Sequence, residues 1–191
     1  MLRYFFALLL MALLSCNTTP HPFPRIRIVT SMGDIEAELY PAKAPKTVQA
    51  FLQYIDSGYF NKGAFYRVVL LEGINAANNV GLIQGGTWQS DGKATRIIPG
   101  IPHESTQQTG LSHTNGVLSL ARTTVGSANT EFFICIGDQS QFDYGNGADG
   151  QGFAAFGKVI EGMQIVRKIQ QQSCRGESLV NPIEIEKIIQ F

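Results

Sequence analysis

Two short stretches near the start of the chain alternate polar with apolar residues: Arg25 to Thr30 (Arg-Ile-Arg-Ile-Val-Thr) and Asp34 to Leu39 (Asp-Ile-Glu-Ala-Glu-Leu). A period of two puts every second side chain on one face, so each reads as a strand with one buried side. Ser31-Met32-Gly33 supplies the turn, and a hairpin opens the fold. The period then changes. Pro45 suits a first helical position, Val48, Phe51, Leu52 and Ile55 recur at i, i+3, i+4 and i+7, and Gly58 can end the element, which predicts one amphipathic helix. Strand-type runs follow at 64–69, 82–84, 117–121, 132–136 and 153–159, separated by glycine-rich loops. A second short helix is expected from about Met163 with Ile165, Val166 and Ile169 inward, and Ile183 to Ile189 reads as a closing strand. Many strands with two helices far apart in sequence predict a mainly β domain, a closed barrel with helices over its ends.

The first residues follow a different rule. Met1 to Arg3 lead into an apolar run from Tyr4 to Leu14, too short to cross a bilayer of ~30 Å but right for a signal-peptide core of ~7 to 15 residues. Leu13-Leu14-Ser15-Cys16 resembles the lipobox of bacterial lipoproteins, whose leader is cut before the cysteine and whose thiol is then lipidated. Residues 1–15 are therefore expected to be a lipoprotein signal peptide, 16–24 the lipidated Cys16 with a proline-rich, semi-rigid spacer, and 25–191 the folded domain. The alternative is an ordinary secretory signal cut a few residues later. On the lipoprotein reading the protein sits in a bacterial cell envelope, anchored to a membrane and facing the periplasm or cell surface.

Composition narrows the function. At 191 residues, 44% hydrophobic and 16% charged, the chain suits one globular domain. Basic and acidic residues both number 15, so nothing draws it to nucleic acid. The three histidines are scattered, and no metal site is expected. Cys135 lies in an apolar run (Phe132 to Ile136), which favours a buried free thiol over a disulfide with Cys174. Gly145 to Gly150 matches a dinucleotide fingerprint literally, but no helix follows it, so it reads as a loop.

What remains is an ordered series: Phe65-Tyr66-Arg67-Val68-Val69, Leu82-Ile83-Gln84-Gly85-Gly86, Gly116-Val117-Leu118-Ser119-Leu120-Ala121-Arg122, Ser127-Ala128-Asn129-Thr130-Glu131-Phe132-Phe133-Ile134, and Phe156 to Met163. From about Arg25 to the C-terminus this series resembles the cyclophilin-type peptidyl-prolyl isomerases. The resemblance implies a closed eight-stranded antiparallel barrel capped by two helices, with the active surface outside the barrel. It implies rotation of Xaa-Pro bonds in unfolded or flexible proteins, with no cofactor and no metal, by a protein expected to be a monomer. Arg67 would be the catalytic centre and Gln84 would position it. Phe133 and Leu82 would line the proline pocket, Ala121 and Arg122 would offer backbone to the peptide, Arg122's side chain being dispensable, and Glu131, Phe142 and Phe153 would complete the substrate site.

An arginine suits this chemistry on physical grounds. Amide resonance sets a rotation barrier of ~18 to 20 kcal/mol. The prolyl nitrogen has no hydrogen and becomes pyramidal on rotation, so a fixed guanidinium can donate to it in the twisted state alone. A five-decade acceleration needs ~7 kcal/mol, more than one charged hydrogen bond supplies, so pocket fit must contribute.

The departures from family usage are specific. Tyr66 stands where histidine is usual, Gly81 where a pocket phenylalanine is usual, Gln141 and Phe142 in place of tryptophan and leucine, Phe153 in place of the pocket histidine, and Glu131 in place of glutamine. About ten residues are inserted between Val69 and Leu82, and Trp88 is available to assist the altered aromatic set. Glu131 is expected to pair with Arg67. Two other readings stay open: a catalytically weak module that binds proline segments, and a lipocalin-like barrel with an open interior.

Overall fold

The computed structural model describes residues 22–71, 79–87 and 98–191, so the leader, Cys16, most of the spacer and Trp88 lie outside the described residues. The elements are β1 (Arg25–Thr30), β2 (Gly33–Leu39), α1 (Pro45–Asp56), β3 (Gly63–Leu71), β4 (Val80–Gly86), α2 (Thr106–Thr109), β5 (Val117–Leu120), β6 (Phe132–Ile136), β7 (Ala154–Glu161), α3 (Met163–Gln170), β8 (Cys174–Arg175) and β9 (Ser178–Gln190). The strands are hydrogen-bonded in the order β1-β2-β7-β5-β6-β4-β3-β9, and β9 pairs back onto β1. This closes an eight-stranded antiparallel barrel, with β8 a short addition on β9.

The interior is filled. Phe51, Phe60, Phe65, Phe132 and Phe156 are buried to 1% exposure or less and meet largely edge to face, Phe51 on Phe132 at 5.6 Å and 86°. Each such side chain contributes ~1.5 to 3 kcal/mol by leaving water, and together they leave no room for the lipocalin-like reading.

The helix α1 buries Thr47, Val48, Phe51 and Ile55 over one end of the barrel, and α3 buries Val166, Ile169 and Gln170 at the other. The start of α1 has no cap of its own, because Ala44 carries no acceptor. Glu104, 57 residues beyond Thr47 and only 8% exposed, supplies one. Its carboxylate accepts from the N–H of Lys46 (3.2 Å), the N–H of Thr47 (2.8 Å) and the Thr47 hydroxyl (2.8 Å). A negative group at a helix N-terminus, holding otherwise orphaned donors, stabilises by about 1 to 3 kcal/mol.

The period-two hairpin and both period-3.6 helices fall where the pattern puts them. The one-turn helix α2, closed by a Ser105–Gln108 capping box, escapes periodicity because four residues complete no pattern. Strand β9 starts at Ser178 rather than Ile183, since Asn181 and Pro182 break its alternation. Cys135 is buried, Cys174 is exposed, and both are free thiols.

Candidate active site

Strict alternation along β3 would send Tyr66 and Arg67 to opposite faces. Instead the register slips between Phe65, which faces Gly85, and Arg67, which faces Gln84, leaving Tyr66 as the extra residue of a bulge. Phe65 and Val68 still point into the core, while Tyr66 and Arg67 both turn outward. Bulges re-aim side chains in this way. On β4, Leu82 and Gln84 are outward and Ile83 inward; on β6, Phe133 and Cys135 are outward and alternate with the inward Phe132, Ile134 and Ile136. These outward residues form a second apolar cluster under the loop that carries Phe142 and Phe153.

A cavity of about 750 Å³ opens there, and all nine residues expected of the site line it: Arg67, Leu82, Gln84, Ala121, Arg122, Glu131, Phe133, Phe142 and Phe153. Ala121 contributes less than expected on its donor side, because its N–H is spent on the Glu131 carbonyl at 2.8 Å. A peptide at this edge would meet its carbonyl instead.

The guanidinium of Arg67 is held on two sides. Nη1 donates to Gln84 Oε1 at 2.7 Å, while Nε and Nη2 donate to one oxygen of Glu177 at 2.8 and 2.5 Å. Glu177 lies in the tight turn between β8 and β9, and sequence reasoning passed over it because no local pattern marks an acid 110 residues away. The expected Glu131–Arg67 pair is not made. Glu131 accepts from the Tyr66 hydroxyl at 2.7 Å and from the Thr87 N–H at 2.8 Å, and the Tyr66 hydroxyl accepts from Gln84 Nε2 at 2.9 Å. The bulge puts Tyr66 where it intercepts the carboxylate.

Phe133, Phe142 and Phe153 form the apolar wall, each pair in edge contact at 5.3 to 5.5 Å. Arg122 has a role the resemblance did not give it. Its guanidinium lies 4.9 Å from the centre of the Phe153 ring, donates to the Gly152 carbonyl at 3.0 Å and pairs with Asp149 at 2.7 Å. Its side chain, 5% exposed, fixes the loop that carries Phe153.

Behind this wall lies His113, fully buried and stacked on Phe133 at 5.9 Å. Its Nδ1 meets Asp143 Oδ1 at 2.6 Å and its Nε2 meets Ser119 Oγ at 2.9 Å. The order Asp–His–Ser suggests a nucleophile, but Ser119 is wholly buried and reaches no substrate. Burial pushes the imidazole below its ordinary pKa despite the neighbouring carboxylate. In the neutral ring Nδ1–H donates to Asp143, and Nε2 accepts from Ser119. Burial raises the Asp143 carboxyl, but hydrogen bonds from Ser112 and His113 bring it below its usual value. Among the described residues no three His, Cys, Asp or Glu side chains gather to hold a metal ion.

Both shifts act in one direction on stability. The unfolded chain takes up a proton on histidine near pH 6.5 and on aspartate near 3.8, while the folded protein resists both. Stability is therefore expected to be highest above about pH 7, to fall below 6.5 as His113 opposes protonation, and to fall further below about 4 through Asp143. Urea unfolding across pH 4 to 8 reads this directly, and a His113→Asn variant, though less stable, should lose the upper part of the slope.

A filled barrel carrying an apolar pocket beside a fixed guanidinium is a peptide-binding surface built to assist a reaction electrostatically. Residues 25–190 match the family described as cyclophilin type peptidyl-prolyl cis-trans isomerase/CLD. The chain is 36% identical over 147 residues to peptidyl-prolyl cis-trans isomerase A of Dickeya dadantii, spanning 76% of this chain and 70% of that protein. It is 34% identical over 143 residues to peptidyl-prolyl cis-trans isomerase B of Escherichia coli, spanning 74% and 80%. A cyclophilin-type isomerase of known structure from Cryptosporidium parvum shares the fold with a TM-score of 0.68 at 23% identity, over 88% of this chain and 98% of that one. The chain belongs to the cyclophilin-type peptidyl-prolyl cis-trans isomerases.

Proposed function

We propose that this enzyme rotates Xaa-Pro bonds of exported proteins in a bacterial cell envelope, as a monomer held to a membrane by lipid on Cys16. The juxtaposition of Arg67 with the Phe133 pocket carries the chemical part of the reading. The pocket takes the pyrrolidine ring, which brings the prolyl nitrogen to the guanidinium. Three of the five N–H groups of Arg67 are engaged by Gln84 and Glu177, leaving one on each terminal nitrogen for the substrate. In the planar amide the nitrogen lone pair is delocalised and accepts poorly; in the twisted state it is localised and accepts well. The interaction therefore favours the transition state over either ground state. A relative of known structure was crystallised in the presence of the dipeptide Ala-Pro, which supports proline-containing segments as the substrate class. The apolar leader and Leu-Leu-Ser-Cys16 support the anchor.

Exchange spectroscopy by NMR on a short Xaa-Pro peptide tests the activity. Uncatalysed exchange takes tens of seconds or more, so cis–trans exchange on a sub-second scale is expected when the protein is present. Peptide binding with unchanged exchange would favour a proline-segment-binding module instead. Cys16→Ser should move the protein from the membrane to the soluble fraction, and retention of the variant on membranes would refute the anchor.

A further inference from the structure

Arg67 is aimed, through Gln84, by two side chains that make no hydrogen bond to it, an inference that rests on the isomerase reading. Glu131, Tyr66 and Gln84, drawn from the residue before β6, from β3 and from β4, form a hydrogen-bonded chain into the guanidinium with distances of 2.7, 2.9 and 2.7 Å. The direction of this chain matters. Turning the Gln84 amide over would exchange its oxygen and nitrogen and set an NH2 group against the guanidinium, donor against donor. The position of one proton prevents it. A tyrosine hydroxyl has a single hydrogen, and here it is given to Glu131. Burial, reinforced by the charge of Glu131, pushes the Tyr66 phenol up, so that hydrogen stays in place. With it committed, the hydroxyl can only accept from Gln84, the Gln84 nitrogen must face Tyr66, and the Gln84 oxygen must face Arg67.

Glu131 is itself fixed. The Thr87 N–H holds its second oxygen at 2.8 Å. Gly86 leaves the space it occupies, since a Cβ at that position would lie 2.6 Å from the carboxyl group. We propose that Tyr66 and Glu131 are positioning residues that set the orientation of Gln84 and, through it, the plane of the Arg67 guanidinium. The chain predicts coupling. A glutamine at 131 can donate as well as accept, which frees the tyrosine hydrogen to turn toward Gln84; a phenylalanine at 66 removes the link altogether.

A double-mutant cycle on the full protein tests this. Tyr66→Phe is expected to lower kcat about three- to tenfold with little change in KM, the size of one hydrogen bond that acts on orientation and not on binding. Glu131→Gln should lower kcat about two- to fivefold. In the Tyr66→Phe background Glu131→Gln should cost nothing more, because the hydroxyl through which it acts is gone. Additive losses would overturn the proposal. A second readout needs no turnover: the Gln84 side-chain amide hydrogens, followed by NMR, should exchange with solvent faster in both single variants than in the wild type. If the wild type does not catalyse exchange while the Gln84 amide responds as stated, the isomerase reading falls and the positioning chain stands. Catalysis with a Gln84 amide indifferent to both substitutions sinks the chain and leaves the isomerase.

Discussion

Arg67→Lys is expected to slow isomerisation at saturating peptide by about one to two orders of magnitude, with KM changed less than about threefold. Donor geometry is the reason. A guanidinium has five N–H groups in one plane; Glu177 and Gln84 take three of them, and these contacts fix where the other two point. A lysine ammonium has three donors and no plane. Bonded to Glu177 and Gln84 it would retain one, in a direction set by a flexible stem. The charge would remain and the pocket would remain, so binding should survive while the contact to the pyramidal nitrogen is lost. The competing explanation of Arg67 is bland. Its pair with Glu177 is half exposed, 40% and 54% at the two side chains, and such pairs contribute ~0 to 1 kcal/mol to stability and nothing to catalysis. A lysine variant that turns over peptide at the wild-type rate would establish that explanation.

Local periodicity made the β1–β2 hairpin, α1 and α3 legible, because burial on one face dictates period two in a strand and 3.6 in a helix. The site residues were legible in a different way, through a series of short fragments whose order the barrel then brings to one cavity. Orientation and partnership were not legible. Whether Tyr66 faces in or out depends on a bulge, and a bulge is a property of two paired strands. Glu104 capping α1, Glu177 holding Arg67 and Arg122 holding Phe153 are contacts across 57, 110 and 31 positions. A polar side chain advertises that it needs a partner but not which one. The misreading of Glu131 shows the cost. It lines the same cavity as Arg67, but Tyr66, the neighbouring departure from family usage, accounts for where its carboxylate goes. The two departures are one hydrogen bond.

The departure at Gly81 has a steric explanation, which leads to the largest effect expected on stability. Restoring a side chain there would look like repair of the pocket wall. However, Gly81 has φ +139, a conformation that side-chain-bearing residues rarely adopt, and a Cβ would lie 2.0 Å from the Val69 carbonyl oxygen and 3.1 Å from Gln170 Nε2. That carbonyl is not free to yield. Gln170, 2% exposed, donates to it at 3.0 Å and to the Val80 carbonyl at 3.2 Å, tying α3 to the ends of β3 and β4. Gly81→Ala must therefore distort the strand pair or displace the buried amide, leaving polar groups without partners. Strain of ~1 to 3 kcal/mol from the backbone, with a similar amount from overpacking, gives an expected loss of about 3 to 5 kcal/mol in urea unfolding. Gly81→Phe should fare worse and should not improve peptide affinity. A loss below about 1 kcal/mol for the alanine variant would mean that this end of the barrel is pliant, and the missing aromatic would then be a simple substitution. On the present geometry the backbone at Gly81 leaves no room for a side chain, and the apolar wall of the cavity is formed by Phe133, Phe142 and Phe153.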